Sequence, residues 1–334
     1  MRRLAAVGCV LVLLSAACSD DGESTPSSTS TTTQAPASST TVATTLAPTT
    51  LAPTTTVGPD EGCTADATEM RTLVDETRPT PATQNAEELP SRTIDVWIDR
   101  PTIEGPWPLI VFSHGLTGHP LSHVTHRREL AAQCFVVVAP AFPLTNNDVP
   151  NAFLNAGDTA GQVGDVSLLI DEMLADDALA PFIDPGRIGA LGHSLGGLTT
   201  AGAALSPDGD QRISAAVVIS AGFGDVRDDV AVMVLHGDAD NVIAVDSSIT
   251  SYAFVDGRGI FVTLLGGDHI AGIIDGESIY GPVVRGLTGA FFAHELDNGS
   301  APIDAVPELR LDLATIEART ADGPLDDWAE YFGV

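Results

Sequence analysis

From Arg92 onward the chain alternates short apolar runs with longer stretches in which apolar residues return every three or four positions. The short runs are rich in Val, Ile and Phe and read as strands buried on both faces; the longer stretches read as the helices that cover them. Thr93 to Ile98 alternates apolar and polar residues and predicts an antiparallel strand. Leu109 to Phe112, Phe135 to Ala139, Ile188 to Leu191, Ala215 to Ile219, Val232 to Leu235 and Phe261 to Leu265 predict core strands, the last of these closing the series. Helices are predicted over Val124 to Gln133, Val163 to Ala175, Leu195 to Leu205 and Val283 to Leu296. Strands alternating with helical stretches argue for an α/β domain built on a mostly parallel sheet. The acidic stretch from Asp304 to Val334 carries Leu309, Leu313 and Ile316 at helical spacing, which predicts one more helix packed on the body.

The pattern is different before residue 62. Met1-Arg2-Arg3 is a short basic start, Leu4 to Leu14 is an apolar stretch of signal-peptide length, and small residues lead to Cys18. Residues 1–17 therefore read as an export signal of lipoprotein type, with Cys18 as the lipidated residue. Ser15 stands where such signals usually carry Leu. Residues 18–61 are dominated by Ser, Thr, Pro and Ala with no aromatic residue, too little apolar surface to offset the entropy of ordering, and read as a tether. Residues 62–334 are left as the folded domain. The expected location is the outer face of a bacterial cell membrane, or the medium if Cys18 carries no lipid.

Export changes the meaning of the four cysteines. Cys9 leaves with the signal and Cys18 takes lipid, so Cys63 and Cys134 remain to form a disulfide in an oxidising space. The formal net charge is −30, the chain has no Lys, and loss of Arg2 and Arg3 makes the mature protein more acidic still. Such a field repels phosphate backbones, which excludes nucleic acid as a partner and leaves neutral substrates unaffected. The domain is expected to be a monomer.

Gly192-His193-Ser194-Leu195-Gly196 lies between a predicted strand and a predicted helix. This G-x-S-x-G pattern is common by chance, but at a strand-to-helix turn it describes a nucleophile elbow: Ser194 is held in a strained conformation, and the residues two before and two after it must lack side chains for strand and helix to pass. A serine hydroxyl needs a base in reach, and the base needs an anion to orient it. Leu235-His236-Gly237-Asp238-Ala239-Asp240 leaves one predicted strand and Leu264-Leu265-Gly266-Gly267-Asp268-His269 leaves another. The chain order Ser, acid, His then gives Ser194, Asp240 and His269, with Asp238 as the alternative acid because loops of this kind often spend their first Asp on the local backbone.

Two backbone N–H groups are needed for the developing oxyanion: Leu195 supplies one at a helix N-terminus, and Leu116, after the strand ending Ser113-His114-Gly115, supplies the other. His114 and His193 hold motif positions where the neighbouring backbone matters more than the ring, and His294 belongs to the closing helix. His119, His123 and His126 lack a carboxylate or Cys at zinc-ligand spacing. Asn146, Asn147, Asp148 and Asp158 read as a solvated polar loop rather than a calcium site. No cofactor is expected. Only 220–231 separates two late strands, too little chain for an inserted cap, so the site is expected to be shallow and open.

Val111-Phe112-Ser113-His114-Gly115-Leu116, Phe135-Val136-Val137-Val138-Ala139-Pro140, Asp165-Val166-Ser167 and Gly192-His193-Ser194-Leu195-Gly196-Gly197 together resemble secreted α/β-hydrolases of the platelet-activating-factor acetylhydrolase and dienelactone-hydrolase-like group. The resemblance spans roughly residues 92–296 and implies an α/β-hydrolase fold and a serine ester hydrolase. Dienelactone hydrolases proper use Cys where this chain has Ser194. Asp240-Asn241-Val242-Ile243-Ala244 and Gly267-Asp268-His269 are also similar to segments of bacterial cutinases and polyester hydrolases, which usually carry Met where Leu195 stands and a Tyr in the loop that here reads His114-Gly115. The expected activity is hydrolysis of short-to-medium acyl esters, with small-molecule, lipid or polymer esters as substrates. An envelope acyltransferase with the same triad and a non-catalytic hydrolase-fold binding protein are the rival readings.

Overall fold

The computed structural model describes residues 63–84, 87–224, 226–296 and 311–332. The signal segment 1–17, Cys18 and the tether 18–61 lie outside the described residues, as does Leu309.

Among the described residues, ten strands form one sheet: β1 (Glu69–Asp75), β2 (Arg92–Asp99), β3 (Trp107–Ser113), β4 (Val136–Ala141), β5 (Ile183–His193), β6 (Ile213–Ile219), β7 (Ala231–Gly237), β8 (Gly259–Leu264), β9 (Ala314–Thr320) and β10 (Gly323–Pro324). Their spatial order is β1-β2-β4-β3-β5-β6-β7-β8-β9-β10. The six strands from β4 to β8 run parallel, and antiparallel pairs flank them on both sides. Every predicted core strand is present, and Thr93 to Ile98 lies within the antiparallel β2.

The helices are α1 (Val124–Ala132), α2 (Thr159–Ala175), α3 (Leu195–Ala204), α4 (Val245–Tyr252) and α5 (Gly281–Leu296). Alternate strand residues feed two cores, which explains why the strands read as continuous apolar runs. Ile110, Phe112, Val137 and Leu191 join Leu130 of α1 and Val284, Leu287 and Phe291 of α5 on one face. On the other, Leu109, Val111, Val136 and Val138 pack with Val166 and Leu169 of α2 and Ala201 and Ala204 of α3.

Among the described residues of the acidic C-terminal stretch, a strand stands where a helix is predicted. Residues 314–320 are β9, paired antiparallel with β8 from Gly259↔Arg319 to Leu264↔Ala314, so β8 is not the last strand of the sheet. Leu313 and Ile316 do face the body, partly buried against the α5 side of the core. A spacing of three residues fits a helix in isolation, but here the backbone groups on the free edge of β8 gain partners, which a docked helix would not supply. β1 and α4 were not anticipated.

Buried ion pairs fix the edges of the frame. Arg92 on β2, 1% exposed, holds Asp165 of α2 through Nε and Nη2, each at 2.7 Å, and Asp158 through Nη2 at 2.6 Å. Arg78 adds a further bond to Asp165 at 2.8 Å. Arg127 of α1 and Asp99 of β2, both fully buried, form a second pair. Pairs of this kind add little net stability over apolar packing, yet leaving one member alone costs about 3–5 kcal/mol, so they specify how α1 and α2 dock.

Cys63 and Cys134 are disulfide-bonded with Cα atoms 5.5 Å apart, tying the first described residue to the turn between α1 and β4. The bridge closes a loop spanning a sequence separation of 71 residues. A Cys134→Ser variant is therefore expected to lose about 2–4 kcal/mol of stability in denaturant unfolding. An unchanged midpoint would show that the bridge does not constrain the unfolded chain.

Candidate active site

β4 and β5 lie on opposite sides of β3, so the chain reverses its direction of travel across the sheet there. In open parallel sheets the crevice beyond the strand ends at such a reversal is where ligands bind. The loops leaving β3 and β5 carry the predicted oxyanion loop and the predicted elbow.

Ser194 sits between β5 and α3 at φ 56°, ψ −120°. That conformation is costly for a residue with a Cβ, of order 1–3 kcal/mol, and persists only where the surroundings impose it. The imposing contacts are visible at the glycines. A Cβ on Gly192 would lie 2.0 Å from Gly196 O, and one on Gly196 would lie 2.2 Å from Ser113 O. Strand, helix and the β3 loop therefore touch backbone to backbone. The Ser194 N–H donates to Ile219 O of β6 at 2.8 Å, which anchors the turn from below.

His269 follows β8 and reaches the elbow from the same sheet edge. Ser194 Oγ lies 2.9 Å from His269 Nε2, and His269 Nδ1 lies 2.7 Å from Asp240 Oδ2. The order of contacts fixes the tautomer: Nδ1–H donates to the carboxylate, and Nε2 is left to accept the serine proton. The Asp240 side chain is fully buried and that of His269 is 13% exposed, so the imidazole is the more accessible of the two. Oδ1 of Asp240 accepts the N–H groups of Val242 at 2.8 Å and Ile243 at 2.9 Å. Burial pushes the Asp240 carboxyl up, but the bonds from His269, Ile243 and Val242 outweigh it and hold it below the usual carboxylate range. Asp238, the alternative acid, instead accepts from Gly266 N–H at 2.6 Å and braces the loop that carries His269.

The β3 loop lies against this group. A Cβ on Gly115 would be 3.2 Å from Ser194 Cβ and 3.0 Å from His193 Nδ1. The loop is closed by Gly118 N–H on Gly115 O and pinned by Thr117 N–H on Thr145 O, both 2.8 Å. Leu116 N–H makes no backbone–backbone hydrogen bond among the described residues. Leu195 opens α3, where the first N–H groups have no partner within the helix. Both predicted oxyanion donors thus belong to backbone that flanks Ser194 in sequence or in space.

Two histidine rings, His193 and His114, do more than the sequence reading gives them, and a third, His236, is not singled out there. His193 Nε2–H donates to His269 O at 2.7 Å, so the residue before the serine grips the backbone of the base. His114 Nδ1–H donates to Gly115 O at 2.7 Å while its Nε2 accepts Phe142 N–H at 3.1 Å, which ties the oxyanion loop to the end of β4. Burial drives both rings down to about 3, so each is neutral with one donor and one acceptor. The third, His236, is fully buried and touches Asp240. Only the strand-end position of each could have hinted at these contacts.

The remaining polar residues separate. His119 Nδ1 accepts Leu121 N–H, His123 Nδ1–H donates to Ile273 O, and His126 Nε2 is bonded to Thr288 Oγ1. No group of three metal-ligating side chains gathers among the described residues. The loop from Asn146 to Asp158 is solvated at Asn147 and Asp148, as expected, but not at its ends: Asp158 is drawn in by Arg92, and Asn146 bonds Phe142 O at 2.7 Å and Asp148 N–H at 2.8 Å. A buried guanidinium needs both carboxylates, and the sequence does not show which Asp it takes.

No protein-family model and no curated protein matches the chain. Among solved structures it is similar to a ferulic acid esterase from Streptomyces cinnamoneus, at 16% identity and a TM-score of 0.57, over 69% of this chain and 90% of that one. The chain has the α/β-hydrolase fold: a mostly parallel sheet flanked by helices, with no large cap among the described residues.

The steric account of the elbow predicts the outcome of Gly192→Ala. Its methyl group would press on Gly196 O, and relief requires β5 and α3 to part. Expected are a stability loss of about 2 kcal/mol or more in denaturant unfolding and displacement of Ser194 from His269. Wild-type stability in this variant would contradict the close crossing.

Proposed function

We propose that the protein is a serine carboxylesterase working through an acyl-enzyme. The observation that carries this reading is the continuous hydrogen-bonded chain from Ser194 through His269 to Asp240, with the serine held in a strained turn. Ser194 Oγ attacks the ester carbonyl as His269 Nε2 takes its proton. The Leu116 and Leu195 N–H groups receive the oxyanion, and Asp240 stabilises the imidazolium. Collapse of the tetrahedral intermediate breaks the bond to the alcohol, which leaves with the proton from His269. Water, deprotonated by the same ring, then releases the acid and frees Ser194.

The rim of the site favours neutral, apolar acyl groups. Val242 and Ile270, each next to a triad loop, are 66% and 47% exposed, and Ile274 and Leu121 lie nearby in sequence and through the bond from Asp275 N–H to Ser122 O. A −30 net charge opposes anionic substrates at a distance and leaves uncharged esters free to approach. With only 220–230 between β6 and β7, the mouth suits short-to-medium acyl esters and bulky ones presented on a surface, lipid or polyester among them. The solved esterase with the same fold supports ester hydrolysis, and the sequence motifs support the acetylhydrolase-like group within it. The N-terminal segment supports a lipoprotein at the cell surface.

Hydrolysis of p-nitrophenyl esters from acetyl to long acyl chains by the full-length protein and its Ser194→Ala variant tests the reading. Turnover is expected to be greatest for short-to-medium chains and to fall by about 10⁴-fold or more in the variant. Absence of turnover in the folded wild type, or equal turnover in the variant, would overturn it.

A further inference from the structure

His236 is the last but one residue of β7, fully buried, and plays no part in the mechanism above. Its Nε2 faces two oxygens that can only accept: Asp240 Oδ2 at 3.0 Å and Ile243 O at 2.9 Å. Nε2 therefore carries a proton and donates to both. The ring cannot turn away, because Nδ1 lies 2.7 Å from Ser248 Oγ of α4; Ser248 Oγ also lies 2.7 Å from Ala221 O, and its single proton serves one of these two acceptors. Ser248 is also fully buried. Ala221 leads back to the elbow, since a Cβ on Gly197 of α3 would lie 2.8 Å from Ala221 Cβ.

We infer that His236 is a positioning residue for the triad acid, extending the relay to Ser194–His269–Asp240–His236–Ser248. The inference rests on the ester-hydrolase reading for its kinetic consequence. Asp240 has four donors: two backbone N–H groups on Oδ1 and two imidazole N–H groups on Oδ2. His236 does two things there. It stops the carboxylate from rotating out of the plane that His269 needs, and it draws charge from Oδ2, so that the carboxylate holds the His269 proton less strongly. By also bonding Ile243 O, it closes the turn 240–243 on which the two Oδ1 donors depend. A leucine would fill the same space but cannot donate.

The groups that face His269 are few. Ser194 and Asp240 meet its two nitrogens, and the buried neutral ring of His193 lies 5.0 Å away between centroids. Asp238 is turned to Gly266 N–H and Asp268 to Ile270 N–H. Removing the His236 donor therefore leaves Asp240 as the group whose change His269 reports.

The test uses the full-length protein with His236→Leu, His236→Gln and Ser248→Ala. Two readouts are taken: ester kinetics against pH, and the pH titration of the His269 ring followed by NMR, which needs no substrate. In His236→Leu, kcat is expected to fall about tenfold with KM changed less than about twofold, as befits a lost hydrogen bond to a charged group that touches no substrate. Both the acid limb of kcat/KM and the His269 titration move to higher pH. His236→Gln, which can still donate, recovers most of the rate and lies closer to wild type in titration. Ser248→Ala shifts both readouts the same way by a smaller amount, and decides the matter if His236→Leu does not fold. An unmoved His269 titration in a folded His236→Leu or Ser248→Ala variant overturns the inference, as does equal loss in the Leu and Gln variants. If the wild type hydrolyses no ester, the functional reading fails, while the ring titration still decides whether His236 acts on Asp240.

Discussion

The structure turns on how closely β5 and α3 cross. Gly192 and Gly196 bring backbone against backbone, Gly196 also meets the end of β3, and Ser194 between them has no relaxed conformation open to it. One contact thus sets three things: where the serine hydroxyl projects, where α3 begins, and how near the Ser113–Gly115 backbone lies to the nucleophile. The strain at Ser194 is offset by the two cores on either side of the sheet, which hold β5 and α3 in place whatever the local preference of one residue.

Around that fixed point the polar groups form two systems with different tasks. Arg92 with Asp158 and Asp165, and Arg127 with Asp99, are buried pairs at the antiparallel edge that determine how helices dock. Asp165, part of the motif resemblance, owes its place to Arg92 rather than to chemistry. The second system is built of histidines at strand ends. His114, His193 and His236 each bond a backbone carbonyl of the site's loops, and His236 also bonds the acid. Each ties together backbone that carries a candidate site residue: His114 the loop of Leu116, His193 the loop of His269, and His236 the turn of Asp240.

Much of this was legible in the sequence because the physics is local. A parallel strand covered on both faces must be an unbroken apolar run, so β3 to β8 stood out, and the steric rule at the elbow is written in Gly192 and Gly196. The choice of Asp240 over Asp238 rests on loop chemistry, but the backbone group that Asp238 bonds is Gly266 N–H, 28 positions along the chain, and it is Asp240 that bonds its own loop. What failed depends on partners distant in sequence. Leu313 and Ile316 suit a helix until the open edge of β8 is seen to need a strand. Asp158 looks like a loop residue until Arg92, 66 positions earlier, claims it. Nothing in the immediate neighbours of His114, His193 or His236 announces a carbonyl brought close by folding.

The most direct test of the central claim is covalent. The folded full-length protein would be treated with an uncharged p-nitrophenyl alkylphosphonate, whose phosphorus accepts an activated serine and releases nitrophenol, and the adduct located by peptide mass spectrometry. The account predicts one adduct, on Ser194. No adduct on the folded protein, or an adduct on another serine, would contradict it.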